Sequence, residues 1–348
     1  MININLLSEI CEVSGAPGHE QKVREIVIRE IEPLVDEIKI DNMGNVVAVK
    51  KGNESKRVMI GAHMDEIGFI VTHIDDQGFV YFHTLGGFDP KTLTAQRVII
   101  HGKKDIIGVM GGKPIHLMSI ADRAKVPTIK DYFIDTGRTK EELDKVISVG
   151  DTITRKSELL EMGDCINCKS LDNRVSVFIL IEMLREMTKK PSYDVYAVFT
   201  VQEEIGIRGA NVSSMDINPD FGFGLDTTIA WDTPGSTKQE QVSSLGDRAC
   251  IKVMDSATVC DYRMVAYMKE ISKNKKLKTQ LEILPAGGTD TAGIQRMNPG
   301  GSIAGAVSIP TRHIHQSIEM VHKKDVREAI DLLRHSVENL HTYNWDFR

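Results

Sequence analysis

Histidine and carboxylate side chains, which can hold metal ions, stand next to several short apolar runs of the 348-residue chain. Four of these runs are typical of strands that are buried on both faces, and a helical pattern begins beside a fifth group. The side chains concerned are His63, Asp65, Asp172, Glu203, Glu204, Asp226 and His315. Because open α/β sheets collect ligands at the carboxyl ends of their strands, we expect these groups to lie close together.

The composition of this set predicts a metal centre. Any one of the residues alone would be an ordinary loop residue or helix cap, but carboxylates gather out of water only where a cation offsets their repulsion and desolvation. Asp172, Glu204 and Asp226 supply three negative charges, the two histidines are neutral, and a hydroxide adds a fourth charge. Two divalent cations balance that charge, and mixed imidazole and carboxylate ligands suit Zn²⁺, Co²⁺ or Mn²⁺. Such ions, roughly 3.5–4 Å apart, would clamp an attacking water molecule and a polarised carbonyl group.

The segments around these residues alternate between helical and buried-strand patterns. Predicted helices cover residues 6–13, 20–34, 174–189, 261–273 and 326–340. Predicted strands cover residues 38–40, 46–49, 58–62, 195–201, 221–225, 280–284 and 303–308. We expect Asp325 and Glu328 to cap the last helix. This alternation is typical of a sheet covered by helices.

The segment from about residue 69 to residue 153 has a different pattern. It contains short β-like runs at 69–74, 79–83, 98–101 and 106–110, separated by turn sequences. One short helix is expected after Thr139, which forms a capping box with Glu142.

These patterns together predict an α/β fold with two domains. A mixed-sheet α/β/α domain, residues 1–68 and 160–348, is interrupted by an inserted β-rich domain, residues 69–159. We expect the insertion to be a barrel or a PDZ-like fold.

The composition weighs against two classes of partner. The 43 Lys and Arg residues against 49 Asp and Glu residues give a net charge of −6, so we expect neither a nucleic acid nor a membrane partner. No apolar run reaches the roughly 18 residues of a membrane span. Residues 1–10 lack the basic region of an export signal, so we expect a cytoplasmic protein.

The five cysteines are too few for a disulfide framework in a chain of this length, and we expect them to be reduced. Cys165 and Cys168 have the spacing of a metal or redox pair, but the second pair that a structural zinc site needs is absent from the sequence. A redox role for the two thiols stays an alternative, which unchanged activity after their alkylation would exclude.

Motifs spread over most of the chain resemble those of the M42 metallopeptidases, a family that includes glutamyl, FrvX-type and TET aminopeptidases. In family order they are SGAPGHE at 14–20, AHMDEIG at 62–68, LDNR at 171–174, EEIGIRGA at 203–210, GLD at 224–226, AGGTD at 286–290 and IPTRHIH at 309–315. Several of them are distinctive, and their order adds to the resemblance.

This resemblance implies an aminopeptidase that acts on peptide substrates and removes their N-terminal residue. The implied metal ligands are His63, Asp172 as a bridge, Glu204, Asp226 and His315. The resemblance also implies that Glu203 is the general base and that Asp65 is the carboxylate that orients His63. It further implies that the insertion mediates self-association into a homo-oligomer, a dodecameric shell.

Two departures from the family pattern leave the substrate preference open. Asn173 stands where the family usually has an aspartate, and Gly246-Asp247-Arg248-Ala249 stands where a Gly-x-Gly-Pro stretch is expected. A long cation there could reshape the substrate pocket, so a Glu or Asp preference is not transferred from family relatives. Two other functions stay open as alternatives. One is a metal-dependent deacylase or other amidohydrolase with the same dinuclear centre, and the other is a catalytically silent shell-forming scaffold.

Overall fold

Two β structures organise the chain. The computed structural model describes residues 2–347, and within them the chain forms an eleven-stranded mixed sheet and a separate closed barrel of six strands. In chain order the strands are β1 (Glu37–Ile40), β2 (Val46–Lys50), β3 (Glu54–His63), β4 (Gly68–Ile74), β5 (Val80–Leu85), β6 (Arg97–His101), β7 (Asp105–Gly112), β8 (Tyr132–Asp135), β9 (Thr152–Arg155), β10 (Leu160–Met162), β11 (Cys165–Cys168), β12 (Tyr193–Thr200), β13 (Phe221–Ile229), β14 (Cys250–Met254), β15 (Gln280–Ile283), β16 (Ile303–Arg312) and β17 (Glu319–His322). The helices are α1 (Ile4–Glu12), α2 (Gln21–Ile31), α3 (Ile120–Ala124), α4 (Lys140–Leu143), α5 (Leu171–Glu186), α6 (Arg208–Ile217), α7 (Tyr262–Lys275), α8 (Asp290–Arg296) and α9 (Lys323–Asn339).

The centre of the large sheet is parallel. Its strands follow the order β1-β2-β12-β3-β13-β16-β17-β11-β10, and β14 pairs with β15 and β16. Neighbouring strands in the series β12, β3, β13 and β16 run parallel to each other, as expected from their continuous apolar runs. The carboxyl ends of these four strands therefore lie at one edge of the sheet.

Helices cover both faces of this sheet. The larger core packs α1, α2, α5, α7 and α9 against one face and contains Ile60 of β3. The smaller core contains the adjacent Met59, together with Ile217 of α6 and Ile294 of α8, because successive side chains of a strand point to opposite faces. This arrangement confirms the predicted mixed-sheet α/β/α fold.

The inserted β-rich segment is a barrel, one of the two forms that the sequence predicts. Its strands close in the order β4-β5-β8-β7-β6-β9. Along β7, Ile106 and Met110 are buried in the barrel, whereas Ile107 and Val109 are exposed. The strands of the barrel lie between Gly68 and Arg155. The domain boundaries at 69 and 159 stay a prediction. None of the helices among residues 2–347 is long and apolar enough to cross a membrane.

Two sequence-based expectations about element ends were wrong. Helix α9 is capped by His322, whose side chain accepts a hydrogen bond from the Lys324 N–H, and not by Asp325 and Glu328. The buried Asp325 carboxylate instead accepts hydrogen bonds from the main-chain N–H groups of Gly246 and Arg248. Strand β13 also continues past residue 225 to Ile229, so a polar residue lies inside a strand where the apolar pattern had ended.

A buried ion pair joins two segments that carry predicted site residues. The Lys169 ammonium lies 2.8 Å from each oxygen of Glu66, and both side chains are almost fully buried. Glu66 comes three residues after His63, and Lys169 comes three residues before Asp172. The pair therefore fixes the end of β3 relative to the start of α5.

We expect Lys169→Met to lower the free energy of unfolding by about 3–5 kcal/mol, because it leaves the Glu66 carboxylate buried without its ammonium partner. Urea denaturation of the metal-free protein measures the change. The matched control is Lys140→Met, which breaks the exposed 2.7 Å ion pair with Asp144 and should cost less than about 1 kcal/mol. Equal losses in the two variants would contradict this account of Lys169.

Candidate active site

The structure brings all seven predicted side chains to the carboxyl edge of the parallel strands. His63 ends β3 and Asp65 follows it, and Glu203 and Glu204 follow β12. Asp226 lies within β13, His315 follows β16, and Asp172 lies at the start of α5. Helix α5 takes regular helical angles only from Arg174, as predicted, and the preceding Asp172–Asn173 peptide bond is cis.

Asp172 stands between two groups of side chains. Its Oδ1 lies 3.4 Å from His63 Nε2, and its Oδ2 lies 3.3 Å from His315 Nε2. Asp226 Oδ1 joins the first group at 3.8 Å from His63 Nε2, and Glu204 Oε2 joins the second at 3.4 Å from His315 Nε2. Each oxygen of the Asp172 carboxylate therefore faces one imidazole. His315 is accompanied by Glu204, and His63 is accompanied by Asp226 and, also at 3.8 Å, by Glu203 Oε2.

The electrostatics of this cluster fit a cation. Burial raises the pKa of Glu204 and of Asp226 to about 8. Burial also acts to raise the pKa of Asp172, but hydrogen bonds with His315 and His63 outweigh it and hold the pKa well below its usual range. Among the described residues, Glu204 Oε1 is buried without a hydrogen-bond partner. These acceptors suit a divalent ion, and donor atoms of His63, Asp172 and Glu204 lie within 4.8 Å of one another.

Asp65 contacts both His63 and the two adjacent glutamates. Its carboxylate accepts hydrogen bonds from the N–H groups of Glu203, at 3.0 Å, and Glu204, at 3.1 Å. The acceptor nearest to His63 Nδ1 is the main-chain carbonyl of Asp65 at 3.1 Å, and the Asp65 carboxylate lies 3.4 Å away. Asp65 is therefore placed to orient the glutamate segment as well as the imidazole.

The cluster opens into a cavity of about 860 Å³. Its wall includes the partly exposed side chains of Ile229 and Trp231, which offer apolar contact surface. Two cationic side chains of the wall, Lys252 and Arg312, are each paired with a carboxylate. Lys252 lies 3.0 Å from Asp255, and Arg312 forms two hydrogen bonds with Asp232. The cavity therefore offers room for the end of a peptide next to the carboxylate cluster.

The two departures from the family pattern, Asn173 and Arg248, lie in different surroundings. Asn173 is fully buried, and its Nδ2 donates a 2.9 Å hydrogen bond to the carbonyl of Leu225, which precedes Asp226. Arg248 does not line the active-site cavity. Its guanidinium donates to the Gly246 carbonyl and lines a separate cavity of about 610 Å³.

Cys165 and Cys168 are free cysteines at the two ends of β11. Side chains three residues apart in a strand point to opposite faces, so the two thiols do not converge on one ion.

Sequence reasoning missed two residues that contact the main chain of the cluster. Glu319 Oε2 accepts a 2.9 Å hydrogen bond from the Asp172 N–H, and Glu319 Oε1 accepts another of 2.9 Å from the His315 N–H. Arg155 donates a 3.0 Å hydrogen bond to the His315 carbonyl. The one available signal was the position of Glu319, four residues after a predicted ligand. No sequence signal connected Arg155, at the end of the β-rich segment, with the cluster.

Comparisons with known proteins agree with this geometry. The family model for M42 glutamyl aminopeptidase matches residues 44–332. The lysyl aminopeptidase of Pyrococcus furiosus is 32% identical over 348 residues, which cover 98% of each chain. An aminopeptidase from the archaeon Desulfurococcus kamchatkensis has a TM-score of 0.93 and 36% identity, covering 97% of this chain and 94% of its own. The TET1 peptidase of Pyrococcus horikoshii, described as assembling into a tetrahedron or a large octahedral shell, has a TM-score of 0.86 and 28% identity, covering 96% of this chain and 98% of its own.

These matches span nearly the whole chain, including both β structures, and confirm the resemblance predicted from the motifs. M42 peptidases are metal-dependent hydrolases, which agrees with the group of donors formed by His63, Asp172 and Glu204. The chain belongs to the M42 family of aminopeptidases.

Proposed function

We propose that this aminopeptidase binds two divalent cations and removes single residues from the free N-termini of peptides. The observation that carries the proposal is the position of Asp172, whose two carboxylate oxygens face two separate groups of imidazole and carboxylate at the wall of the cavity. A single carboxylate in that position can serve two ions at once. The aminopeptidase activity of the family supports the choice of reaction.

Each cation would be held by three side chains, with Asp172 shared. His63 and Asp226 belong to the first site, and His315 and Glu204 belong to the second. The bound ions would supply Lewis-acid chemistry, which polarises the scissile carbonyl and acidifies a water molecule. Zn²⁺, Co²⁺ and Mn²⁺ suit these ligands.

Glu203 is the proposed general base. It lines the cavity beside the ligands, with Oε2 3.8 Å from His63 Nε2, and its main-chain N–H is held by Asp65. Burial raises the pKa of Glu203 well above its usual range, which makes its carboxylate a stronger base than that of an exposed glutamate. Glu203 takes the proton of the attacking water and delivers it to the departing amine.

The carboxylates of the cavity also select the substrate terminus. A free α-amino group is cationic, and Asp172, Glu203, Glu204 and Asp226 all line the cavity where it would enter. An internal peptide bond brings no such group, so those acceptors would be left without a partner. We therefore expect an exopeptidase.

A substitution of the proposed base tests its role. We expect Glu203→Gln to lower kcat by about 10²–10⁴-fold, because the amide cannot take up the proton, while the protein still holds two ions per chain. Turnover is measured on an aminoacyl-anilide, and metal content by elemental analysis after reconstitution. Glu141→Gln, at an exposed position of α4, is the control and should change neither quantity.

Two results would contradict this assignment. Near-normal turnover of Glu203→Gln would place the base elsewhere. A wild-type protein that holds no metal after reconstitution, and whose hydrolysis is indifferent to chelator, would contradict the metal centre.

A pair of peptides tests the requirement for a free terminus. We expect kcat/KM to be about 5–150-fold lower for a peptide with an acetylated N-terminus than for the same peptide with a free one, because unpaired buried acceptors cost about 1–3 kcal/mol. Mass spectrometry of the products identifies the bond that is cut. Comparable cleavage of both peptides, or internal cuts, would favour a deacylase or an endopeptidase. Hydrolysis of neither would favour the silent scaffold.

We propose further that the barrel mediates assembly into a closed shell of twelve subunits. The barrel region exposes several large apolar side chains, among them Leu117 at 71% and Ile120 at 88% exposure. Exposed apolar side chains that cluster in one region are typical of interaction surfaces. A tetrahedral shell, the form described for the Pyrococcus horikoshii protein, has twelve equivalent positions.

Light scattering tests this assembly. We expect a mass of twelve chains, and a smaller mass after the double substitution of Leu117 and Ile120 by Glu, because the charges cannot be buried in an interface. The control is Val259→Glu, an exposed apolar position of the α/β domain, which should leave the mass unchanged. A wild-type mass of one chain at working concentration would contradict the proposal.

A further inference from the structure

The main chain at His315 has an unusual conformation. Its φ angle is +63°, in the left-handed region that residues other than glycine rarely adopt. An L-residue holds this conformation when its surroundings fix the backbone. The peptide groups on either side of His315 are therefore the place to look for what holds its imidazole at the cavity.

Both peptide groups are held by buried charged side chains. The His315 N–H donates a 2.9 Å hydrogen bond to Glu319 Oε1, and the His315 carbonyl accepts a 3.0 Å hydrogen bond from Arg155 Nη1. Glu319 and Arg155 are each 1% exposed. Charge-assisted hydrogen bonds of this kind are stronger than neutral ones, so they can hold a conformation that is costly in isolation.

The second oxygen of Glu319 reaches another proposed ligand. Glu319 Oε2 accepts a 2.9 Å hydrogen bond from the Asp172 N–H. One carboxylate thus fixes the spacing between the main chains of His315 and Asp172, whose side chains approach to 3.3 Å. Both oxygens of Glu319 accept a hydrogen bond from an N–H group. An amide in its place would put an NH₂ donor opposite one of these N–H groups, and that hydrogen bond would be lost.

We propose that Glu319 is a positioning residue of the metal centre, which holds His315 and Asp172 at the spacing that one cation requires, and that Arg155 completes this support from the barrel. This inference rests on the proposed function, because it assigns these residues to the second of the two proposed ion sites. Neither side chain lines the cavity, so both act through the ligands and not on the substrate.

Zn²⁺ affinity tests the inference. We expect Glu319→Gln to weaken Zn²⁺ binding by about 10–100-fold, the effect typical of residues that orient metal ligands. Zn²⁺ is titrated into the metal-free full-length protein by calorimetry, circular dichroism checks the fold, and kcat is measured at saturating Zn²⁺.

The matched control is Asp325→Asn. Asp325 is also a buried carboxylate that accepts two main-chain N–H groups, from Gly246 at 2.7 Å and Arg248 at 2.8 Å, but it touches none of the proposed ligands. The control variant should lose stability without losing Zn²⁺ affinity. Equal loss of affinity in the two variants would show that the effect is general destabilisation and would overturn the inference.

Arg155→Met provides an independent measurement from the carbonyl side of His315, and it keeps the test decisive if Glu319→Gln does not fold. We expect it to weaken Zn²⁺ binding as well, and Arg155→Lys, which keeps a donor, to restore part of the affinity. If a folded Glu319→Gln or Arg155→Met variant bound Zn²⁺ with wild-type affinity, this inference would be overturned, but the proposed function would not. A wild-type chain that neither binds Zn²⁺ nor hydrolyses peptides would overturn the proposed function and the inference with it.

Discussion

Negative charge held out of water at one edge of the sheet is the constraint on which the arrangement of this molecule depends. Asp172, Glu203, Glu204 and Asp226 lie within a few ångströms of the same two imidazoles, where each carboxylate raises the cost of ionising the others. Two further carboxylates hold the main chain of the cluster by accepting its N–H groups. The Asp65 carboxylate binds two main-chain N–H groups on one side of the cluster, and the Glu319 carboxylate binds two on the other. Both bind main chain, so the cluster's side chains stay free to face the cavity.

The sequence made the position of the cluster predictable because the physics of a parallel sheet is simple. Short, continuously apolar runs must be buried on both faces, and parallel neighbours place their carboxyl ends together. The residues after β3, β12 and β16 therefore had to meet. Asp226 lies at the same edge, although it is inside β13 and not after it. Strand β13 stays paired with β16 through Asp226 and the polar residues that follow it.

Other parts of the structure left no comparable pattern. Helices α6 and α8 were not predicted, because they lack a wide apolar face and approach each other through small residues. A Cβ at Gly293 of α8 would lie 2.7 Å from Asn211 Oδ1 of α6. Asp325 resembled a helix cap in sequence, but its partners near residue 247 are distant along the chain. The contacts of Arg155 and Glu319 with His315 likewise depend on tertiary structure, which local spacing does not encode.

Arg155 has a consequence for how the two parts of the molecule can vary. An inserted domain is ordinarily exchangeable, because it shares only its two chain connections with its host. Here the last strand of the barrel sends a buried guanidinium to the carbonyl of His315 in the host domain. A barrel grafted from a relative keeps this hydrogen bond only if it carries an arginine at the same position, and a chain without the barrel strand loses it. Exchange of the barrel within the family is therefore constrained by side-chain contacts at the junction as well as by the two chain connections.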